Sequence, residues 1–376
     1  MKKIIVGIIA VILIVVGISY FGKNSSQPSS KEPIKIGVIL PLTDASADAG
    51  EYIKNGLDIA EREINGSPKN KYKISLIFED SQYKGDKAAS AAQKLINIDG
   101  VKYIIGEYGS SQTLAIAPIA EANKVILISP ASQTEKITTA GDYIFRTQIT
   151  TKQDADFFAR PVFEKIGNEK LAILSINTDY GISYINNFSD AYNKLGGVIG
   201  FVEKLDIKNT DFRISLLKAK ENGARAILLV GNRQFNGLVL KQKNELGLEF
   251  RFFASSVTEG KELIDVAGTL AEGLLYPYPF DDESDVSSQK SFQDKYIKEY
   301  REKSEMLGAN GYDSLILLSN CFEKVGNNAE KVKQCLYLVK NYQGASGILS
   351  FDENGDVSKP FILKTVKNGR FVKYEE

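Results

Sequence analysis

The run Ile34-Lys35-Ile36-Gly37-Val38-Ile39-Leu40, closed by Pro41-Leu42-Thr43, decides how the rest of the chain is read. It is apolar at both parities, with Ile36 and Val38 on one side of the pleat and Gly37 and Ile39 on the other. A strand buried on both faces reads this way, which means a parallel sheet covered by helices. Downstream, Ile53, Leu57, Ala60 and Ile64 recur at helical spacing, predicting a helix over about residues 50–64 with one face on that sheet. Further strands are expected at 73–79, 102–105 and 125–128, with helices at 85–98 and 111–122 between them. Strand and helix in alternation predict a doubly wound α/β sheet.

The alternation then restarts, with strands expected at 171–175, 198–203, 226–230 and 250–253 and helices at 182–195, 212–221 and 235–246. The chain therefore holds two α/β lobes of similar architecture. Ligands of such sheets sit beyond the carboxyl ends of the strands, so two facing rims make a cleft. The C-terminal third departs from the pattern: helices are expected at 288–303, 313–324 and 329–341, then strands at 348–351, 361–366 and 370–374. Asp352-Glu353-Asn354-Gly355-Asp356 reads as a solvated hairpin turn, since its spacing does not match a calcium-binding loop. No metal and no cofactor is expected.

At the N-terminus, Met1-Lys2-Lys3 precedes an apolar run from Ile4 to Ile18 that fades through Phe21. Residues 1–22 read as an export signal, either cleaved after Gly17-Ile18-Ser19 or retained as a membrane anchor over 4–21, with 23–33 as a flexible tether. The lysines place the start in the cytoplasm and the rest outside. Outside the cytoplasm Cys321 and Cys335 can pair across a short loop, the alternative being two buried thiols.

Composition narrows the chemistry. With no His among 376 residues, a Ser-His-Asp triad, a Cys-His dyad and an HExxH zinc site are excluded. Lys plus Arg (47) equals Asp plus Glu (47), so no net cationic field draws the chain to nucleic acid. A binding protein is favoured over an enzyme. A hydrolase using Ser110 or Ser111 with a Lys or carboxylate partner survives only as a third reading.

The strand-end motifs resemble the type I periplasmic (solute) binding proteins, in particular the branched-chain amino-acid (leucine/isoleucine/valine) binding family of ABC transporters. The landmarks are residues 36–43, Gly50, Asn55-Gly56-Leu57, Glu79-Asp80, Ile105-Gly106, Gly109-Ser110-Ser111-Gln112-Thr113 and Ile128-Ser129-Pro130-Ala131-Ser132. They continue with Phe145-Arg146-Thr147, Asp179-Tyr180-Gly181 and Asp211-Phe212. The resemblance implies two lobes joined by a three-strand hinge, with residues 34–150 and 279–347 in the first and 151–278 and 348–376 in the second. It also implies a receptor that closes on a small polar ligand (an amino acid or related carboxylate or amide) and is recognised by ABC permease subunits. A membrane-anchored sensor of the same fold is the alternative.

For the site, Gly109-Ser110-Ser111 opens a helix after a strand, so backbone N–H groups and hydroxyls converge where a carboxylate can bind. The resemblance adds Ala131 and Ser132 as carboxylate contacts and Tyr180 as a cleft tyrosine. Gln133 stands where the family carries a Thr, and its amide can still donate. Where amino-acid binders supply carboxylates for the ligand ammonium, this chain has Thr151 and Ser256, and an expected aromatic is Ala49. Either Glu107, Asp179 or Glu259 takes that role, or the ligand is not an α-amino acid. Arg233, at a second-lobe rim, either meets another anionic group of the ligand or faces solvent.

Overall fold

The computed structural model describes residues 32–44 and 46–375. The export-signal or anchor segment lies outside the described residues. The first sheet is built on β1 (Ile34–Leu40), which pairs in parallel with β2 (Ile74–Asp80) on one side and β3 (Tyr103–Gly106) on the other. Strands β4 (Ile126–Ser129) and β5 (Ile144–Arg146) complete the order β2-β1-β3-β4-β5. Alternate residues of these strands enter different cores. Ile36, Val38 and Leu40 join one apolar layer, while Ile39 joins Ile104 and Leu127 in the layer on the opposite face. That two-sided burial is the reason the run lacks polar alternation.

Helices α1 (Ala47–Gly66), α2 (Gly85–Asn97) and α3 (Ser110–Ala122) cover this sheet. The chain then passes through α4 (Thr151–Ile166) into the second sheet, whose order is β14-β13-β10-β9-β8-β6-β7. Strands β6 (Lys170–Ile176), β7 (Val198–Leu205), β8 (Ala226–Val230), β9 (Arg251–Ala254) and β10 (Leu275–Tyr278) run parallel, and α5 (Asp179–Lys194), α6 (Arg213–Glu221), α7 (Arg233–Glu245) and α8 (Lys261–Ala267) connect them. Next come α9 (Ser287–Tyr300), α10 (Met306–Val325) and α11 (Ala329–Tyr337), then the hairpin β11 (Tyr342–Gly344) and β12 (Gly347–Leu349). Finally β13 (Ile362–Lys367) pairs antiparallel with β10, and β14 (Arg370–Lys373) with β13. The chain thus crosses between two α/β lobes three times, at residues 147–150, 279–286 and 350–361.

The C-terminal helices belong with the first sheet. Helix α10 lies along α1 so closely that a Cβ on Gly56 would strike the Gly308 carbonyl oxygen. A disulfide joins Cys321 of α10 to Cys335 of α11.

Several elements begin or exist where the sequence pattern is silent. Helix α10 starts at Met306 rather than 313, and α4, α8, β5 and β10 were not anticipated. The signal for α4 was present: Thr150 and Gln153 form a reciprocal capping box at its start. One expectation is corrected. The turn at 352–356 closes an antiparallel bridge and keeps Asp352, Glu353 and Asn354 exposed, as expected, but its far end is docked: Arg146 is fully buried on β5, and Asp356, only 6% exposed, receives its Nη2 at 2.7 Å. A guanidinium out of water needs such a partner.

Candidate functional site

The carboxyl ends of both parallel sheets face each other. Between them lies a narrow crevice lined by residues of both rims. Its walls stand close, leaving about 20 Å³ that the centre of a water molecule can occupy, so a guest enters only if the lobes part. A wider open hollow of about 1360 Å³ lies at the amino ends of β8 and β9, beside Arg225, Glu249 and Arg251, away from both rims. The rim pocket is the candidate site because helix starts converge there.

The first lobe contributes Tyr83, Tyr108, Gly109, Ser110 and Ala131. Ser110 opens α3, whose first-turn N–H groups have no intrahelical acceptor. The Ser110 hydroxyl accepts from the N–H groups of Gln133 (3.2 Å) and Thr134 (3.4 Å), which leaves its own proton to donate. The second lobe contributes Ile176, Tyr180, Gly231, Asn232 and Val257. Tyr180 lies in the first turn of α5, which Thr178 caps by accepting from the Gly181 N–H. Its hydroxyl faces Ser255 Oγ, yet neither oxygen makes a well-formed hydrogen bond, and both are buried. The Gln133 Oε1 is likewise buried and unpartnered. Burial holds the phenols of Tyr83, Tyr108 and Tyr180 above their usual range, so they stay neutral. None of the described residues lining the pocket carries a charge.

The crevice is therefore lined by uncharged side chains from both rims. A match to the family model described as "Periplasmic binding protein" spans residues 33–370. The chain belongs to the periplasmic binding protein family. Among its relatives is the leucine-, isoleucine-, valine-, threonine-, and alanine-binding protein of Pseudomonas aeruginosa, 26% identical over 93% of this chain and 92% of that one. A leucine binding protein of Thermotoga maritima has a similar structure, with a TM-score of 0.85, 29% identity and coverage of 91% and 98%. The solute binding protein of an ABC transporter from Rhodopseudomonas palustris, in complex with 3,4-dihydroxy benzoic acid, matches with a TM-score of 0.82, 25% identity and coverage of 91% and 96%.

Of the residues singled out in the sequence, the binding protein brings Ser110, Ala131 and Tyr180 to the pocket wall. Gln133 closes the gap beside it, donating through Nε2 to Ser256 Oγ of the other lobe at 3.2 Å. The others are engaged elsewhere. Ser111 lies one residue further round α3 and donates to Asp179 Oδ2 at 2.8 Å. Ser132 turns inward to Thr113 Oγ1 (2.6 Å) and the Glu107 carbonyl (3.2 Å). Thr151 faces Glu135 (2.8 Å) and Ser183 (2.9 Å).

The three carboxylates considered for a ligand ammonium all have other partners. Glu107 is fully buried, holds Ser81 Oγ and the Gly109 N–H, and is pushed up to about 7 by burial. Asp179 also pairs with Lys136 at 2.7 Å, and Glu259 pairs with Lys364 at 2.8 Å. Arg233 neither lines the pocket nor faces solvent: its side chain is 3% exposed and bonds to Asp48 at 2.9 Å.

Two groups escaped the sequence reading. Tyr108 and Tyr83 supply the first-lobe aromatic surface in place of the aromatic expected at residue 49; Tyr108 immediately precedes the Gly109-Ser110 motif. Asp154, in the first turn of α4, is fully buried and accepts from Tyr184 OH (2.8 Å) and the Ser256 N–H (3.2 Å). Burial raises it to about 6 despite those donors.

Proposed function

We propose that the protein is an extracytoplasmic receptor of an ABC uptake system that closes its lobes over a small carboxylate and presents the closed form to permease subunits. The carrying observation is the neutral interlobe pocket in which Ser110 and the first turn of α3 face Tyr180 across the gap. The carboxylate is assigned to Ser110 and the helix start, where N–H groups and the helix dipole favour negative charge. Tyr180 and Ser255 serve the far end of the guest. Breaking bonds is not part of this reading: the Ser110 hydroxyl faces two N–H donors rather than a base.

The uncharged lining favours a carboxylate without an α-ammonium, since a buried ammonium needs a counter-charge. On this reading the guest is closer in chemistry to the 3,4-dihydroxy benzoic acid bound by one relative than to the amino acids named for others. Thermal-shift and calorimetric titration of the purified protein with leucine, isoleucine, 4-hydroxybenzoate and 3,4-dihydroxybenzoate, beside catechol and isoamylamine, tests it. The aromatic carboxylates should raise the melting temperature, and the decarboxylated analogues should not. The Ser110→Ala variant should lose about 1–3 kcal/mol of that binding. Equal stabilisation by catechol would move the anchor away from Ser110, and stabilisation by leucine alone would restore the amino-acid reading.

A further inference from the structure

Arg233 is the first residue of α7, where the positive end of the helix dipole disfavours a cation. Within its own lobe it donates from Nε to the Glu259 carbonyl at 2.6 Å and has one carboxylate, Glu262, at 3.8 Å. Its closer charge partners lie on the other lobe. Nη1 meets Asp48 of α1 at 2.9 Å, and Nη2 meets Glu305, the N-cap of α10, at 3.4 Å. The guanidinium also sits over the Tyr52 ring of α1, 5.1 Å from its centroid. The acids themselves suit their places, because both stand at helix starts and Glu305 accepts from the Gly308 N–H at 3.0 Å. Burial nevertheless pushes the Glu305 carboxyl up to about 7 while the Arg233 charge draws it down, so base and acid each gain from the meeting of the lobes.

We infer that Arg233 is an interlobe clasp that sets ligand affinity by fixing the open–closed equilibrium, without touching the ligand. The preceding residue, Asn232, lines the ligand pocket and donates across the gap to Ser46 Oγ at 3.4 Å. Occupancy and clasp thus share one loop. Two further ion pairs cross near the gap, Lys136 with Asp179 and Lys208 with Asp44; their lysines are 68% and 60% exposed, and both should contribute little. Opening returns Arg233 to water but strips it of two carboxylates; closing removes it from water only because those carboxylates are in place. The inference rests on reading the cleft as the ligand site, but its test does not need a ligand.

Small-angle scattering of the ligand-free protein reads the closed fraction directly. Arg233→Met should lower the ratio of closed to open molecules by about tenfold or more and enlarge the radius of gyration. Asp48→Asn, which touches the other lobe only, should act in the same direction, and the double variant should open no further than Arg233→Met. Lys136→Met should leave the profile unchanged. Once a ligand is identified, Arg233→Met should weaken its apparent affinity by the same factor as the lost closed fraction. The inference is overturned if Asp48→Asn and Arg233→Met scatter like the wild type, or if Lys136→Met opens the protein as much as they do. If Arg233→Met does not fold, Asp48→Asn decides alone.

Discussion

The Tyr180 hydroxyl gives a test in which stability and binding should move in opposite directions. It is buried in the pocket wall and lacks a well-formed hydrogen bond, as does Ser255 Oγ opposite it. A buried hydroxyl without a partner costs about 1–3 kcal/mol relative to one in water. Replacing Tyr180 by Phe removes that cost and keeps the ring that packs against Tyr184 with centroids 6.0 Å apart. The ligand-free variant should therefore melt at the same temperature as the wild type or up to about 4 °C higher. Bound ligand supplies the partner the hydroxyl lacks, so the variant should bind the best-stabilising carboxylate about 1–2 kcal/mol more weakly, roughly five- to thirtyfold in Kd. Differential scanning calorimetry and isothermal titration read the two quantities separately. A variant that melts several degrees lower with unchanged Kd would show that the hydroxyl is a structural group and that the guest does not reach it.

The Glu107→Gln variant should gain stability relative to the wild type as pH rises. The native carboxyl sits at about 7 against 4.5 for a free group, because burial outweighs the bonds from Ser81 and Gly109. Between those values the native state holds a proton the unfolded state has lost, so wild-type stability falls as pH rises through the window. The difference between variant and wild type should grow by about 3 kcal/mol from pH 4 to pH 8 in urea titrations, and a constant difference would place Glu107 in contact with water. Replacing both Cys321 and Cys335 by Ala should cost about 3 kcal/mol, the chain-entropy value for a loop of this length, whereas an unchanged denaturation midpoint would refute that account. Gly56→Ala should lower the melting temperature markedly, since its Cβ meets the backbone oxygen of Gly308 rather than a side chain that can move. Wild-type stability there would mean that α1 and α10 are not packed so closely.

How much of this could be read from the chain depends on what each feature rests on. Strands such as β1 and β8 are legible because a strand covered on both faces is apolar at both parities: β8 is buried from end to end, and β1 is buried except at Lys35 near its start. By contrast β5 spans only three residues, too few for a periodic signal, and β10 carries Pro277, which argues against a strand in any local reading. Ser110 was legible because a Ser at a helix start after a strand is a local motif. Ser111 shows where that reasoning ends: one position further along the helix turns the side chain by about 100° and carries it from the pocket to Asp179. Thr151, Glu107 and Arg233 were misplaced for a different reason. Whether a polar side chain at a rim meets a guest, its own lobe or the opposite lobe is set by the distance between rims, which no local pattern encodes.

That same distance explains the chemistry of the pocket. The acids and bases near the gap are consumed in pairs: Arg233 by Asp48, Lys136 by Asp179, and Lys208 by Asp44 at 3.0 Å. Closure therefore has its own electrostatic contribution and does not depend on a charged guest to neutralise a rim. What remains facing the guest are hydroxyls, an amide, first-turn N–H groups and aromatic faces. Such a lining accepts a compact anion at one end, where N–H dipoles already point, and discriminates at the other by which hydroxyls find partners. Asp154 stands behind Tyr184 and Ser256 and already accepts from both. Its negative charge at neutral pH therefore orders the second-lobe wall before it can serve a cation. On the proposed reading, selection rests on hydroxyls that find partners only in the guest, while Arg233, the buried base beside the gap, is already paired across it.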